Sequence, residues 1–247
     1  MKNGQTGIMA RFATRLALAS GAWLILSLSA NAQPALEHST APILNAAAET
    51  AAAHAADQYA FTVDHWGQEG DKETTVKLRY DPRLPKGEQW RVLEPDAEHL
   101  DKGVKKVLKQ LQKAESDENP LLYEKLDEML AVAEFVEETD TEAVFVAQVD
   151  EDDLPKDALE VFMTLNKQGG YVSRIDVKSK KSFKPLPIAK VTNLVQSQFF
   201  AAPIDGGPAL LAHTEGVVEG EAMFKSFKSV SRQTFSDIEK VETAKGE

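Results

Sequence analysis

The chain has 247 residues, of which 43% are hydrophobic and 27% charged, and its formal net charge is −11. This composition is typical of a folded protein and excludes collagen-like, low-complexity and wholly disordered classes. Because the chain contains no cysteine, disulfides, iron–sulfur clusters, thiolate-bound zinc and thiol catalysis are excluded as well.

Residues 1–32 have the pattern of a cleavable signal peptide. Basic residues and no acidic ones lie within residues 1–15, and the apolar run 16–28 follows. That run is shorter than the ~20 residues that span a bilayer. The small residues Ala30 and Ala32 occupy the positions that a signal peptidase recognises. We therefore expect cleavage after Ala32, with an uncleaved membrane anchor as the alternative.

Export leaves a strongly acidic mature chain. Removal of residues 1–32 takes away three basic residues and no acidic one, so that 25 Lys and Arg remain against 39 Asp and Glu, a net charge of −14. Such a chain is repelled by nucleic acid, which excludes nucleic-acid partners. No apolar stretch near 18 residues remains, so we expect no transmembrane segment in the mature protein and a periplasmic location.

Hydrophobic periodicity divides the mature chain into early helices and later strands. Alanine content and Pro42 predict the first helix, apolar residues at three-and-four spacing predict two more, and alternation predicts the strands. The predicted helices are 42–58, 101–114 and 119–131. The predicted strands are 59–64, 76–80, 89–93, 133–138, 142–149, 159–165, 172–178, 190–200, 209–218 and 222–235.

Short turns join most of these strands, among them Gly169–Gly170 and Glu219–Glu221. Because the helices come early rather than between strands, the pattern argues against a doubly wound parallel sheet. We expect one α+β domain over residues 33–247. Its single antiparallel sheet, of about nine or more strands, would be curved like a half-barrel, with helices packed on one side.

Catalytic and metal-binding motifs are missing from the sequence. It contains no nucleophile elbow, zinc-protease motif, phosphate loop or dinucleotide fingerprint, and the five histidines are scattered. We expect no enzyme activity, no metal and no cofactor, with a hydrolase as a minor alternative that lacks a nameable nucleophile–base pair. The acidic run Asp150–Asp153 departs from a calcium-loop pattern and is interpreted as a solvated loop.

Two lysine-rich features stand out against the acidic background. One is the lysine face of the 101–114 helix, and the other is the group of lysines around Phe183. Either could dock on an anionic membrane or an acidic partner. The alternative is an ordinary amphipathic helix and a charged sheet edge that discourages strand pairing.

Large apolar residues occur on both faces of some predicted strands. Phe162 opposes Val161 and Met163, and Phe199 is adjacent to Phe200. A sheet with one solvated face does not need this. Either a packed core covers the second face, or a curved sheet encloses a cavity for an apolar ligand. In the second case Phe162 is a candidate ligand contact.

The segments Leu78–Pro82, L-R-Y-D-P, and Gln89–Val92, Q-W-R-V, lie on consecutive predicted strands. With the preceding helix and the long antiparallel remainder, the layout of most of the mature chain resembles the LolA-like half-barrel carriers. The resemblance implies a curved, helix-covered sheet that shelters acyl chains, with a strand arginine near its mouth that acts in cargo release. Arg79 matches that arginine best, and Tyr80 and Trp90 complete the candidate ligand contacts. The chain departs from the carriers after Trp90, where it has two helices in place of further strands.

A second resemblance is to uncharacterised secreted proteobacterial proteins, and it implies export and one domain but no activity. It rests on the strand around Trp90 and on three further segments: Lys181–Pro185, Gly206–Pro208 and Gly220–Asp237.

The sequence thus predicts an exported periplasmic binding or carrier protein that shelters a lipid or other apolar ligand. The alternative is a cell-envelope interaction or scaffold module. Its core would be fully packed, and it would bind a protein partner through the lysine-rich helix or the acidic loops.

Overall fold

The computed structural model describes most of the chain beyond the predicted signal peptide. The described residues are 35, 38–96, 99–100, 102–112, 120–123, 126–149, 155, 157–186, 188–223 and 225–241. The predicted signal peptide at 1–32 and the acidic run at 150–153 lie outside them.

Eleven strands form one sheet in which all the pairings are antiparallel. Their order is β3-β2-β1-β11-β10-β9-β7-β6-β5-β4, and β8 pairs with β9 outside this path. The strands are β1 (Gln58–Glu69), β2 (Lys72–Tyr80), β3 (Trp90–Glu94), β4 (Glu134–Glu138), β5 (Glu142–Val149), β6 (Leu159–Asn166), β7 (Tyr171–Ser179), β8 (Phe183–Leu186), β9 (Ala189–Ala201), β10 (Leu210–Ala222) and β11 (Lys225–Val241).

Hairpins between consecutive strands account for most of this order, and glycines serve two of the turns. Gly70 and Gly170 have positive φ values of 58° and 69°, which glycine adopts without a steric penalty. The pairing of β1 with β11 attaches the first hairpin to the last strand. As far as the chain is described, the sheet does not close, and β3 and β4 form its two edges.

Three helices are found among the described residues: α1 (Ala41–Ala53), α2 (Lys102–Leu111) and α3 (Leu126–Val132). Alanine, the best helix former, makes up most of α1, and Pro42 fits its first turn. Both α2 and α3 belong to the segment that connects β3 to β4, and so join the two edges of the sheet. None of the described helices is long and apolar enough to cross a membrane.

Most of the buried apolar residues form a main core cluster. It contains Leu44 from α1, Met129 from α3 and side chains from the majority of the strands, including the fully buried Phe61, Phe145 and Met163. A second cluster surrounds Phe183 of β8. A third joins α2 to β2 and β3.

The structure differs from the sequence prediction at three places. β8, at residues 183–186, pairs with β9 where the sequence indicated only a charged hairpin edge. The predicted turn at Glu219–Glu221 lies inside β10, and the chain reverses near Met223 instead. Within the predicted helix at 119–131, Pro120–Tyr123 form a turn that contacts the sheet, and the described helix spans Leu126–Val132.

Candidate functional site

The strand register assigns each residue to one of two faces. Directly paired residues of antiparallel strands share a face, and successive residues along a strand alternate between faces. Phe61, Val63 and His65 alternate along β1 and are all buried. We call their side of the sheet the core face, because Met163 and Phe145 of the main core cluster lie on it too. The other side is the outer face.

Four rings on β1, β2, β3 and β11 form an aromatic cluster on the core face. Tyr80 lies 5.0 Å from Trp90, and Phe61 lies 5.2 Å from Tyr80 and 5.8 Å from both Trp90 and Phe235, measured between ring centroids. Phe61 is buried, whereas the other three rings are half-buried. Burial raises the pKa of Tyr80, so its phenol stays uncharged. The cluster therefore offers uncharged aromatic surface that is partly open.

Next to the aromatic cluster, four polar side chains lie side by side across the middle of the core face. His65 of β1 pairs with Gln233 of β11, Gln233 with Thr214 of β10, and Thr214 with Gln198 of β9. We call these four residues the polar rung. The first three are buried and Gln198 is half-buried. Polar groups cost free energy when they leave water without a hydrogen-bond partner, so a buried polar rung beside the aromatic cluster needs an explanation.

At the centre of the neighbouring rung, between Thr74 of β2 and Gln196 of β9, three adjacent strands carry only small residues. Gly67, Ser231 and Gly216 are paired across β1, β11 and β10, and all three are half-buried. We call them the small-residue gap. A Cβ atom placed on Gly216 would find its nearest neighbours, Ser231 Oγ and the Val195 carbonyl oxygen, at 3.5 and 3.6 Å. An added methyl group at Gly216 would therefore be accommodated in ordinary van der Waals contact, with Gln196 Cγ 4.0 Å away.

His65 connects the polar rung to the gap. The side chain leans over Gly67, since a Cβ atom at Gly67 would lie 3.1 Å from His65 Nε2. The residue is only 9% exposed, and within the described part of the chain its buried Nδ1 has no hydrogen-bond partner. Burial lowers the pKa of His65, which favours the neutral imidazole with one donor and one acceptor nitrogen.

Arg79 lies on the outer face, opposite its neighbour Tyr80. Its guanidinium donates to Thr62 Oγ1 at 3.3 Å and to the Asp237 carbonyl oxygen at 2.9 Å, and it lies 3.8 Å from the Glu239 carboxylate. These contacts tie β2 to β1 and β11. They hold the arginine on the side of the sheet away from the aromatic cluster.

Phe162 also lies on the outer face. The Nζ atom of Lys178 is 4.7 Å from its ring centroid, and the guanidinium of Arg174 lies similarly at 5.0 Å from the ring of Phe199. Cations over aromatic faces are favourable contacts. The apolar residues on the second face of these strands are therefore covered by long basic side chains, which neither of the sequence interpretations anticipated.

The structure thus brings two of the four candidate ligand contacts together, Tyr80 and Trp90, and places Arg79 and Phe162 across the sheet from them. The polar rung was missed by the sequence prediction. The available signal was that its residues occupy positions that alternate in step with the apolar core residues. On β9 to β11, however, the residues at the intervening positions are polar as well, so the pattern does not show which side of the sheet faces the core.

Among the residues that the structure describes, no three His, Asp or Glu side chains are grouped closely enough to hold a metal ion.

Comparisons with known proteins add little to this geometry. No protein-family model matches the chain, and no curated protein matches it. The crystal structure of a DUF1329 family protein from Desulfovibrio piger is similar, at 10% identity and a TM-score of 0.34, over 81% of this chain and 92% of that one. A likeness this distant does not define a class of function.

Proposed function

We propose that this chain is an exported binding or carrier protein that holds an apolar ligand against the core face of its sheet. The observation that carries the proposal is the aromatic cluster, in which Tyr80, Trp90 and Phe235 remain half-buried beside a fully buried core. Partly open aromatic surface next to a gap is typical of sites for apolar ligands.

The segment between β3 and β4 supplies a cover for that face. It joins the two edges of a sheet that is nine strand spacings wide, about 43 Å at ~4.8 Å per spacing. At the β3 edge, Leu108 of α2 packs against the cluster that includes Leu78, which is on the core face. In the middle, the Leu121 carbonyl oxygen accepts a hydrogen bond of 2.8 Å from the Leu211 amide. At the far edge, Met129 of α3 joins the main core cluster.

The width of the sheet favours curvature beneath this cover. Open twisted sheets rarely exceed ~10 strands without curling, and bulges bend the strands that contain them. Register shifts occur between Ala60 and Thr62 on β1 and between Leu211 and His213 on β10. A curved sheet beneath a crossing segment would enclose the space that the half-barrel interpretation requires.

Such a site would bind its ligand through the burial of apolar surface alone. Each buried methylene contributes about 0.8 kcal/mol, so a sixteen-carbon chain contributes on the order of 10 kcal/mol before the cost of ordering it. No charged partner for the ligand is needed to reach useful affinity.

Two tryptophans provide a test with an internal control. Trp90 lies in the aromatic cluster, whereas Trp66 lies on the outer face under Arg232. In the mature chain they are the only tryptophans. A brominated monoacylglycerol should quench the emission of the Trp66→Phe variant, which reports on Trp90, and leave the Trp90→Phe variant unquenched. Equal quenching of both variants, or of neither, contradicts the proposal.

Export is part of the same proposal and rests on the pattern of residues 1–32. Intact-mass analysis of the protein recovered from the periplasm of an expressing Gram-negative cell should give a chain that begins at Gln33. Retention of the full-length chain in the cytoplasm would contradict export.

A second candidate function, an envelope interaction module, is favoured by the exposed end of the β9–β11 region. Ile188 and Met223 are 50% and 40% exposed and are linked by a backbone hydrogen bond of 3.0 Å. Exposed Lys184, Lys190 and Lys225 lie around them, a combination that suits an acidic protein partner. Crosslinking in intact cells should then capture one defined protein, and a Lys190→Glu/Lys225→Glu variant should lose it.

A further inference from the structure

The polar rung and the small-residue gap indicate which kind of polar group the apolar ligand carries. We infer that the ligand carries one uncharged polar group, a hydroxyl, ester or amide, which occupies the small-residue gap and hydrogen-bonds to His65 and its neighbours on the polar rung. This inference rests on the proposed function and specifies the chemistry of the same site.

The first step is the unused hydrogen-bonding capacity of His65. The side chain is more than nine-tenths buried, its Nδ1 has no partner among the described residues, and its ring overhangs the gap at Gly67. The ring nitrogen that faces the gap is Nε2, which lies over Gly67. A polar ligand group there can hydrogen-bond to the imidazole, which an all-apolar ligand cannot do.

The second step is the gap itself. Gly67, Ser231 and Gly216 leave the backbone of three adjacent strands without large side chains, next to three buried polar residues. Larger residues flank the same strands on both sides: the aromatic cluster towards one end, and Glu69 with Val218 towards the other. These small residues thus lie directly beside the buried polar groups, with the His65 ring over Gly67.

The third step is the charge of the site. The polar rung contains no lysine or arginine, and its histidine is held neutral by burial. The nearest acidic group on the core face of β1 is Glu69, whose pKa burial raises, and Arg79 is held on the outer face. The cation on the adjoining rung, Lys72, is exposed and is the cross-strand partner of Glu69. A buried carboxylate or phosphate would have to compete with Glu69 for that lysine to compensate the loss of its hydration. The site therefore selects a neutral head group.

The test compares ligands that share one acyl chain. Binding of monolaurin, laurate and lauroyl-lysophosphatidylglycerol, each below its critical aggregation concentration, is measured at pH 8 by displacement of a fluorescent apolar probe from the full mature chain. We expect monolaurin to bind at least about tenfold more tightly than either anion. Equal or tighter binding of an anion overturns the inference.

Variants then test whether the polar rung causes this preference for the neutral head group. His65→Leu and Gln198→Leu should each reduce the preference for monolaurin several-fold, and Gly216→Val, which fills the gap, should weaken binding of all three ligands. His213→Leu, on the outer face of β10, is the matched control and should change nothing. Gln198 is half-buried, so its variant remains informative if His65→Leu fails to fold. Unchanged selectivity in the folded Gln198→Leu variant and in any folded His65→Leu variant overturns the inference.

Failure of the two proposals is distinguishable. If the probe and the three ligands all fail to bind, the carrier function itself is wrong. If they bind without preference for the neutral head group, the carrier function stands and the inference about its ligand is wrong.

Discussion

The hydroxyl of Tyr123 donates a 2.6 Å hydrogen bond to the carbonyl oxygen of Val172. Tyr123 belongs to the segment that joins the two edges of the sheet. Val172 is the second residue of β7 and lies 49 residues later in the chain. Both residues are buried, and the tyrosine ring also lies 4.4 Å from Phe200. Burial raises the pKa of Tyr123, so the hydroxyl keeps its proton and remains a donor. This bond holds the crossing segment on the core face.

Replacement of Tyr123 by phenylalanine should therefore lower the free energy of unfolding by about 1–3 kcal/mol, because a buried carbonyl oxygen loses its partner. Urea unfolding measures the change. Tyr80→Phe is the control and should stay within about 0.5 kcal/mol of the wild type. A Tyr123→Phe variant as stable as the control would show that the crossing segment is not held by this bond.

On the outer face, the buried carboxylate of Asp176 accepts two side-chain hydrogen bonds. Ser197 Oγ donates to Asp176 Oδ1 at 2.5 Å, and Arg174 Nε donates to the same oxygen at 2.8 Å. Both Asp176 and Ser197 are buried. Ser197→Ala should lower the free energy of unfolding by about 1.5–3 kcal/mol, since hydrogen bonds to charged groups are the stronger ones.

Ser197 is on the face opposite the proposed site, so the same variant should leave ligand affinity unchanged. Ser236→Ala, which removes only a 3.4 Å contact to Asp237, serves as the stability control. If Ser197→Ala abolished binding while remaining folded, the assignment of the site to the core face would be contradicted.

Gly220 is required where β10 approaches its neighbours. A Cβ atom there would overlap the Lys190 carbonyl oxygen and lie 3.0 Å from the Phe227 ring. Gly220→Ala should therefore destabilise the protein by about 1–3 kcal/mol, the usual cost of overpacking. Gly216→Ala meets its nearest atom only at 3.5 Å and should be tolerated. Thermal unfolding of the two variants compares these positions directly, and equal melting temperatures would contradict the close approach at Gly220.

His65 should make stability depend on pH. Burial lowers its pKa in the folded state, whereas in the unfolded chain it is ~6.5. Between these two values the unfolded state binds the extra proton, so the contribution is fully present above pH ~6.5 and is lost as the pH falls towards the folded pKa. Glu69, with its pKa raised by burial, contributes with the opposite sign.

The comparison of wild type with His65→Gln isolates the histidine from the other groups. Urea midpoints at pH 7.5 and 5.5 should fall less on acidification in the variant than in the wild type. Identical differences between the two pH values in both proteins would show that His65 is not the group responsible.

Residue patterns predicted much of the sheet and less of the site. The alternation of Leu159, Val161 and Met163 identified β6 and its buried side, because one face of that strand is apolar and the other is not. β8 escaped prediction because its four residues, F-K-P-L, include a proline and follow several lysines, so that the segment resembles a charged edge. Four residues are also too few for an alternating pattern to identify a strand.

The faces of the central strands illustrate the same limit. Gln198 and Ser197 are both polar, so the sequence of β9 does not reveal that one joins the polar rung and the other the Asp176 network. Likewise, the adjacent Arg79 and Tyr80 were assigned to one site, although neighbours on a strand point to opposite faces. The register of the sheet, fixed by hairpins elsewhere in the chain, resolves both cases.

The central claim is that the core face holds an apolar molecule, and its most direct test is the mass spectrometry of an organic extract. The mature protein, purified from its native envelope without detergent, is unfolded in solvent and the extract is quantified against protein. The account predicts an apolar compound with one neutral polar group at close to one molecule per chain. An extract without any such compound, together with failure of added monolaurin to bind, would contradict it.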